Sequence, residues 1–336
     1  MKKIKIVHIL ISKGFAGSEK YLCDLIDYQS NFFDVSVVVL KKNLVLKNNI
    51  NKNIKIFQII DFFKKIQITK IINKNKPDIV HTHLSNAAKC VSKSDKFKII
   101  ATAHMNFKKS ILKNCDALIV SNSTQFKQAT KNFKGALFKS YLWTRLKPIT
   151  KNKTELKKEL KIPKKNIVFG SIGRFHPQKG FDLILKKFKQ ESPKNSTLWL
   201  IWNGHEKFNN KIKNYENIIL LGHINNVSNY YNLFDVAVFA SRWETFGFTL
   251  VEAMHFRLPI ISSLHVGNKD WIKKFKIKVC NFNQKQKIFY TKNITKVKYD
   301  TSIFNYHDKC AEISKIYKNL LEIKKDWILW LISNYI

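Results

Sequence analysis

The sequence is poor in acidic residues. Asp and Glu together number 23 against 61 Lys and Arg in 336 residues, which gives a net charge of +38 at pH 7. A field of that strength attracts nucleic acid, anionic lipid or a polyanionic substrate, and the charge alone does not choose among them. The basic residues are spread along the chain rather than concentrated in one motif, which argues against a dedicated nucleic-acid-binding element. A basic nucleic-acid-binding protein therefore stays open as an alternative from outside the enzyme classes.

Several sequence features that mark other protein classes are also missing. The five cysteines include no C-x-x-C pair, which excludes a zinc ribbon and favours a reduced, cytoplasmic protein over a disulfide framework. Apolar runs of about 18 residues are absent, so we expect no transmembrane helix. The opening segment MKKIKIVHILIS has a short apolar stretch interrupted by His8 and no small-residue cleavage site, so we interpret it as a buried strand rather than a signal peptide.

Short apolar runs alternate with lysine-rich helical stretches along the whole chain. Candidate strands in the first half are KIVHILI, DVSVVVL, IKIFQII, DIVHTH, KIIATAH and ALIVS, and those in the second half are NIVFGSI, TLWLIW, NIILLG, VAVFAS and LPIIS. Continuous apolar strands separated by helices predict parallel sheets covered on both faces, the doubly wound α/β class. A chain of 336 residues is long enough for two such domains.

A polar segment, KPITKNKTELKKELKIPKKN, separates the two series and has the composition of a hinge. We therefore predict an N-terminal domain over residues 1–150, a second domain over 151–310 and a helical segment over 311–336. The last segment ends in an apolar stretch with Trp327 and Trp330 preceded by lysines. It is either an interfacial membrane anchor or, as we favour, a terminal helix that packs back on the N-terminal domain.

The segment SRWETFGFTLVEAM, Ser241–Met254, carries the strongest functional signal. Glu244 and Glu252 lie eight residues apart around a Phe-Gly-Phe turn, directly after an apolar run that predicts a buried strand. We expect a helix to begin after Gly247, where unpaired amides and the positive end of the helix dipole suit a diphosphate. Glu252, further into that helix, would accept hydrogen bonds from hydroxyl groups. The pattern indicates a site for a phosphorylated polyol such as a sugar nucleotide.

A second segment, GSIGRFHPQKGFDLILKKF (Gly170–Phe188), places Arg174 and Lys179 in a loop between a predicted strand and helix. Arg can bind a diphosphate bidentately while Lys supplies a mobile point charge. No Asp-x-Asp motif exists in the sequence to hold a metal-bridged diphosphate. We therefore expect Arg174, Lys179 and the helix N-terminus after Gly247 to stabilise the phosphates without a metal ion.

Together these segments closely resemble the donor-phosphate loop and the E-x7-E motif of retaining glycosyltransferases of family four, which have the GT-B fold. The resemblance implies two Rossmann-like domains facing a central cleft. It also implies transfer of a sugar, with retention of anomeric configuration, from a nucleoside-diphosphate sugar to a glycan or lipid-linked acceptor, in bacterial surface polysaccharide or lipopolysaccharide synthesis. The enzyme would need no cofactor, and it would be cytoplasmic with peripheral association at the inner face of the cell membrane, where anionic lipid would be a partner. A nucleotide-sugar epimerase of the same fold is the alternative enzyme.

The family pattern also assigns site residues. The resemblance implies that Arg174 and Lys179 hold the diphosphate, Glu252 the ribose and Glu244 the transferred sugar, with His104 lining the reaction centre. The predicted catalytic residues are thus Glu244, His104, Arg174 and Lys179, and the predicted donor-binding residues are Gly14, Gly17, Arg174, Lys179, Phe246, Gly247, Phe248, Thr249 and Glu252.

Matches in the first half are weaker. Ser12–Ile26, with Gly14 and Gly17, resembles the family's glycine-rich first loop, and G-x-G-x-x-G, the sign of a dinucleotide site, is absent. His104 ends the predicted strand KIIATAH, where a purely structural histidine is the alternative to a functional one. His81 and His83 alternate on one strand, but because we see no third ligand near them we predict no metal site.

Three segments depart from the family pattern, one of them KFKIKVCNFNQKQKIFY, which lacks the family's glycine-containing strand and turn. KSYLWTRLKP, before the hinge, lacks the expected Asn-Gly-Val-Asp-like string. LHVGNKDWI has Gly267 alone, with Asp270, where the family has two glycines and a glutamate. These departures leave the sugar, the nucleotide and the acceptor open.

Overall fold

The computed structural model describes residues 3–104, 113–174, 176–191, 194–203, 217–222, 224, 226–284, 287–289 and 294–322. The chain divides into two compact units. The first contains Met1–Trp143 together with Phe304–Ile336, and the second contains Thr144–Ile303. Each unit has its own parallel sheet with helices, as the sequence predicts.

In the first unit, the described residues form a seven-stranded parallel sheet in the order β3-β2-β1-β4-β5-β6-β7. Its strands are β1 (Lys5–Leu10), β2 (Asp34–Leu40), β3 (Lys55–Ile59), β4 (Ile79–His83), β5 (Lys98–Ala103), β6 (Ala117–Val120) and β7 (Ala136–Lys139). Its helices are α1 (Gly17–Gln29), α2 (Leu44–Asn49), α3 (Lys64–Asn75), α4 (Ser85–Ala88) and α5 (Ser123–Thr130), and near the C-terminus α11 (Tyr306–Glu322).

The last described helix, α11, packs against α1. The Tyr306 hydroxyl donates to the backbone oxygen of Asp24 at 3.0 Å, and Gln29 Nε2 donates to Ser314 Oγ at 3.4 Å. One face of α11 is buried, as the periodicity of its apolar residues requires. Residues 323–336, which include Trp327 and Trp330, lie outside the described residues.

In the second unit, the described residues form a six-stranded parallel sheet in the order β10-β9-β8-β11-β12-β13. Its strands are β8 (Ile167–Arg174), β9 (Ser196–Asn203), β10 (Ile218–Leu220), β11 (Val236–Phe239), β12 (Ile260–Ser262) and β13 (Cys280–Asn281). Its helices are α6 (Lys153–Glu159), α7 (Phe181–Glu191), α8 (Val227–Leu233), α9 (Phe248–His255) and α10 (Val266–Lys274).

The doubly wound α/β prediction is confirmed, and every candidate strand of the sequence is present. The prediction missed the two short edge strands β7 and β13. All four residues of β7 are only half-buried, and β13 has two residues, so neither produces a continuous apolar run. Within the described residues, no helix is both long and apolar enough to cross a bilayer.

Candidate functional site

Two loops of the second unit leave the sheet at one point. The first loop consists of Arg174, the last residue of β8, and residues 176–180. The second consists of residues 241–247 after β11, and β8 and β11 pair in parallel. The chain runs outward to β9 on one side of β8 and returns to β11 on the other, so this is the point where the strand order reverses. In open α/β sheets the carboxyl ends of the strands at such a point form the ligand crevice. We call the two loops the paired loops.

Backbone contacts hold the paired loops together. Gln178 Nε2 donates to the Trp243 carbonyl oxygen at 3.1 Å, and the Arg242 amide donates to the Gln178 carbonyl oxygen at 2.7 Å. Gly180 has φ +64°, and a Cβ there would lie 2.0 Å from the Ala240 carbonyl oxygen. Only glycine permits both the left-handed conformation and this approach. The predicted phosphate loop and the predicted acidic loop are therefore one structural piece.

The cationic and acidic groups predicted for the site meet in this piece. Lys179 Nζ lies 2.5 Å from Glu244 Oε1, and their side chains are 16% and 13% exposed. Ser241 Oγ donates to the same Glu244 oxygen at 2.8 Å. Arg174 is exposed, with Nη2 3.3 Å from Gln178 Oε1. The structure thus brings Arg174, Lys179 and Glu244 around one strand edge.

Helix α9 begins at this edge, as the sequence predicts. Gly247 is its N-cap with φ +96°, and the Leu250 amide bonds back to the Gly247 carbonyl at 3.0 Å. The amides of Phe248 and Thr249 precede the first intrahelical bond, and such amides suit an anion. Phe246, also predicted as a donor-binding residue, differs from Phe248 and Thr249. Its side chain is 2% exposed and packs beneath the loop.

Glu252 is the fifth of the eight residues of α9 and is almost completely buried, at 7% exposure. Thr144 Oγ1 donates to its Oε1 at 3.1 Å, and the Tyr231 hydroxyl donates to its Oε2 at 2.9 Å. Burial, and next the charge of Glu252, raise the pKa of Tyr231 well above its usual value, so this hydroxyl stays a donor. Both contacts fix the position of the carboxylate. Sequence reasoning missed Thr144 and Tyr231 because neither is part of a spacing pattern.

Gly267, which stands alone where the family has a glycine pair, supports the acidic loop. A Cβ at Gly267 would lie 2.3 Å from the Glu244 carbonyl oxygen and 2.2 Å from the Thr245 carbonyl carbon. In the same helix, the Trp271 indole nitrogen donates to the Phe246 carbonyl oxygen at 3.3 Å. Helix α10 therefore positions the backbone that carries Glu244.

The remaining predicted residues, Gly14, Gly17 and His104, lie in the first unit. Gly17 is the first residue of α1, and Gly14 lies in the loop before it. Asn43 Nδ2 donates to the carbonyl oxygens of Gly14 and Ser12 at 2.9 Å and 3.1 Å, which fixes that loop.

His104 follows β5 and ends a chain of buried and part-buried hydrogen bonds. Its Nε2 lies 3.2 Å from His83 Nδ1, His83 Nε2 lies 3.1 Å from His8 Nδ1, and His8 Nε2 lies 3.0 Å from Gln29 Oε1. Burial lowers the pKa of both His8 and His104 to about 3, and lowers that of His83 well below its usual value. The imidazoles are therefore neutral at pH 7, and each carries one N–H.

The direction of this chain follows from its far end. Ser314 Oγ donates to the Cys310 carbonyl oxygen at 2.8 Å, so toward Gln29 it acts as an acceptor of the amide N–H. Gln29 Oε1 then faces His8 and must receive a hydrogen from His8 Nε2. Each successive histidine must likewise be the Nε2–H tautomer, a deduction from the hydrogen-bond network. His104 Nδ1 is left as a buried acceptor without a partner among the described residues.

The expectation that His81 and His83 have no third ligand nearby is wrong. Nitrogen atoms of His8, His81 and His83 lie within 4.8 Å of one another, a spacing that could hold a metal ion. The sequence does not indicate this contact, because His8 and His83 are 75 residues apart in the chain. They come together because β1 and β4 are neighbours in the sheet. His81 nevertheless has both nitrogens engaged, with Tyr317 Oη at 2.5 Å and Thr102 Oγ1 at 2.7 Å. We interpret the cluster as a hydrogen-bond network.

Two family models match this chain. Residues 152–315 match the family model described as Glycosyl transferases group 1. Residues 11–128 match the one described as Glycosyl transferase 4-like. The first model therefore covers the paired loops, and the second covers the loop that contains Gly14.

Curated relatives include an uncharacterised 41.2 kDa protein in the cps region of Klebsiella pneumoniae, 29% identical over 58% of this chain and 63% of its own. An uncharacterised glycosyltransferase of Methanocaldococcus jannaschii is 27% identical over 66% of this chain and 64% of its own. The chain thus spans a little under two thirds of these two relatives. A lipopolysaccharide core biosynthesis mannosyltransferase, LpsB of Rhizobium meliloti, is 29% identical over 33% of this chain and 35% of its own.

Solved structures share the fold. A glycosyltransferase from Rickettsia africae has a TM-score of 0.77 at 16% identity and covers 96% of this chain and 100% of its own. Anabaena HepE in complex with UDP and glucose has a TM-score of 0.71 at 14% identity and covers 95% of this chain and 98% of its own. These likenesses show that the chain has the GT-B fold, and the two family models match it to glycosyltransferases over residues 11–128 and 152–315.

Proposed function

We propose that this protein is a retaining glycosyltransferase that moves a sugar from a nucleoside-diphosphate sugar to a glycan or lipid-linked acceptor. The observation that carries the proposal is the junction of the paired loops, where Lys179, Glu244 and the start of α9 meet at the switch point of the sheet. Binding of UDP and glucose by the HepE neighbour supports a nucleotide-sugar donor.

The paired loops offer the chemistry that such a reaction needs. When the glycosidic bond to the diphosphate breaks, negative charge develops on the leaving phosphate oxygens. Cations and amides already positioned for that charge lower the barrier, because they interact more strongly with the transition state than with the ground state. Arg174, Lys179 and the first amides of α9 supply that stabilisation, and these fixed positive groups replace the role of a divalent metal.

The two glutamates have different roles in the proposal. Glu252, held by Thr144 and Tyr231, accepts hydrogen bonds from the ribose hydroxyls of the donor. Glu244 accepts hydrogen bonds from hydroxyls of the transferred sugar while remaining paired with Lys179. The acceptor attacks from the face that the leaving group vacates, which gives retention without a covalent protein intermediate.

The relatives support a place in surface polysaccharide synthesis. One is encoded in a cps region and another is named as a lipopolysaccharide core mannosyltransferase. We therefore propose an acceptor from the synthesis of capsule or lipopolysaccharide, used at the cytoplasmic face of the membrane.

The test is a proton NMR assay of donor turnover with UDP-, GDP- and ADP-sugars and an acceptor extract, with EDTA or Mg²⁺ added. We expect one donor to be consumed, a product with the anomeric configuration of the donor, and the same rate in EDTA. Inversion would contradict the retaining mechanism, loss of activity in EDTA would contradict metal independence, and conversion of the donor without acceptor would identify an epimerase instead.

A further inference from the structure

Exposed apolar side chains are concentrated in one part of the first unit. Six of the exposed large hydrophobic residues in the described part of the chain lie within two short segments. Phe62 and Phe63 are the most exposed of these six, at 74% and 76%. The six are Leu44, Val45, Ile60, Phe62, Phe63 and Ile66. Single exposed apolar residues need no explanation, whereas a group of this kind marks an interaction site. We call these six residues the apolar edge.

The two segments form one surface. They follow β2 and β3, which pair in parallel, so both emerge at the carboxyl edge of the sheet. The Lys41 amide donates to the Ile59 carbonyl oxygen at 2.8 Å, and Lys47 Nζ lies 3.0 Å from Gln58 Oε1. Lys42, which precedes Leu44, forms an ion pair with Asp61, which lies between Ile60 and Phe62. This ion pair links the two apolar segments.

The two phenylalanines are held outward by defined contacts. Gln67 Nε2 donates to the Phe62 carbonyl oxygen at 2.6 Å, and Gln67 Oε1 accepts the Ile60 amide at 3.2 Å. Phe63 has φ +51°, the left-handed region that a bulky residue seldom adopts. A hydrogen-bonded loop that exposes two aromatic rings despite this conformational cost is built to present them.

Charge chooses among the possible occupants. Lysines surround the apolar edge, at positions 41, 42, 47, 64 and 65. The carboxylate between the two segments, Asp61, is engaged by both Lys42 and Lys64. A second copy of this chain would set equal positive rims against each other in a two-fold interface, which is unfavourable. Aromatic and aliphatic side chains ringed by lysines match the headgroup region of a bilayer that carries anionic lipid.

We propose that the apolar edge is a membrane-docking surface, in which Phe62 and Phe63 enter the interfacial region and the lysines contact anionic headgroups. The carboxyl edge of the same sheet carries the Gly14 loop and His104, so docking here would bring a lipid-linked acceptor to the predicted acceptor-side unit. Only that last consequence rests on the proposed function. Docking itself needs neither donor nor acceptor.

The test is co-sedimentation of the full chain with vesicles of phosphatidylglycerol and phosphatidylcholine in equal parts, or of phosphatidylcholine alone. The test variant carries both Phe62→Ser and Phe63→Asn. Asn is chosen at position 63 because it tolerates a left-handed backbone. The matched control is Phe32→Ser. Phe32 is 56% exposed in the same unit but lies before β2, at the opposite edge of the sheet. Circular dichroism melting shows whether each variant is folded.

We expect wild type and Phe32→Ser to bind the anionic vesicles, and binding to weaken with salt. The double variant should bind at least about tenfold more weakly, because burying one phenylalanine contributes about 1.5–3 kcal/mol. Equal binding by the folded double variant would overturn the proposal, as would no binding by wild type. A dimer that the double substitution dissociates would identify a second copy as the occupant. Vesicle binding without sugar transfer would refute the proposed function and leave the docking surface standing.

Discussion

Lys179 Nζ and Glu244 Oε1 are 2.5 Å apart in a place where both side chains are largely buried. The family resemblance assigns them to different parts of the donor, Lys179 to the diphosphate and Glu244 to the sugar. In the proposed function, this pairing positions the cation proposed to bind the diphosphate before a ligand arrives. It also means that a bound diphosphate must share that cation with Glu244.

Replacing Glu244 with Gln separates these two effects. We expect nucleoside-diphosphate affinity to rise, by up to about tenfold, because Lys179 no longer divides its charge with a carboxylate. We expect turnover of the donor sugar to fall by at least about a hundredfold, since the charged acceptor for the sugar hydroxyls is lost. Isothermal titration and a turnover assay measure the two quantities.

The control for Glu244→Gln is Glu159→Gln, which breaks the exposed Lys151–Glu159 pair of the same unit. An exposed pair contributes little, so neither quantity should change. If Glu244→Gln weakens nucleoside-diphosphate binding, Glu244 does not compete with the diphosphate for Lys179 in the way proposed.

Gly267 provides a test of the support beneath Glu244. Gly267→Ala forces a methyl group into the backbone of Glu244 and Thr245, and we expect it to lower the free energy of unfolding by about 1–3 kcal/mol. Donor turnover should fall further than the loss of stability explains, because the carboxylate is displaced. Gly14→Ala, where no atom lies within 4 Å of the added carbon, should leave stability unchanged. Denaturant titration of both variants decides, and an unperturbed Gly267→Ala protein would contradict the described packing.

The buried histidines predict how stability depends on pH. The pKa of His8 and of His104 is lowered to about 3 in the folded protein, against about 6.5 in an unfolded chain. Between these values the unfolded state binds more protons, so the free energy of unfolding falls as pH drops below about 6.5. Each such histidine contributes a slope of up to about 1.4 kcal/mol per pH unit.

His104→Asn should therefore reduce the slope of the free energy of unfolding against pH between pH 6.5 and pH 5. The reduction should correspond to about one bound proton. Gln128→Leu, at an exposed position of α5, removes no titratable group and should leave the slope unchanged. Urea titrations at several pH values give the slopes. Identical slopes for wild type and His104→Asn would show that His104 is not buried in the neutral form.

The hydrogen-bond chain predicts one tautomer for His104. Nitrogen-15 NMR of histidine-labelled protein, assigned with His104→Asn, should show Nε2–H and an unprotonated Nδ1. Gln29→Leu removes the acceptor that sets the direction of the chain, so both tautomers should then be populated at His83 and His104. Gln128→Leu, on the exposed face of α5, is the control.

An Nδ1–H tautomer in wild-type protein would overturn the deduced direction of the chain. Metal-shifted nitrogen resonances together with bound zinc in purified protein would instead make His8, His81 and His83 a metal centre.

The sequence predicted the eleven strands with strong apolar runs and the helix that begins after Gly247, because both follow from local patterns. It also predicted that Arg174, Lys179 and Glu244 would lie at strand ends, since loops after parallel strands share one edge. The sequence did not predict the side-chain contacts that position Glu252. Tyr231 and Glu252 are 21 residues apart, and Thr144 and Glu252 are 108 apart. Packing of one segment on another brings them together, and no spacing rule records that.

The histidine cluster was hidden for the same reason, although a single signal pointed to it. His8 interrupts an otherwise apolar strand, and a polar residue in a buried strand needs a partner. The partner, Gln29, ends α1 and is in turn held by Ser314 of α11, 285 residues later in the chain. A sequence pattern can flag such a residue but cannot name the residue that satisfies it.

Binding of nucleoside diphosphates decides whether the paired loops form the donor site. Thermal unfolding of the purified chain with UDP, GDP, ADP and CMP, and with their sugars, should show a rise in melting temperature with one nucleotide, because a ligand of the native state stabilises it by mass action. Arg174→Gln and Glu252→Gln should abolish the rise, and Arg257→Gln, an exposed arginine of the same unit, should retain it. A rise that survives both site variants, or no rise with any nucleotide, would contradict the assignment of the paired loops as a nucleotide-sugar site.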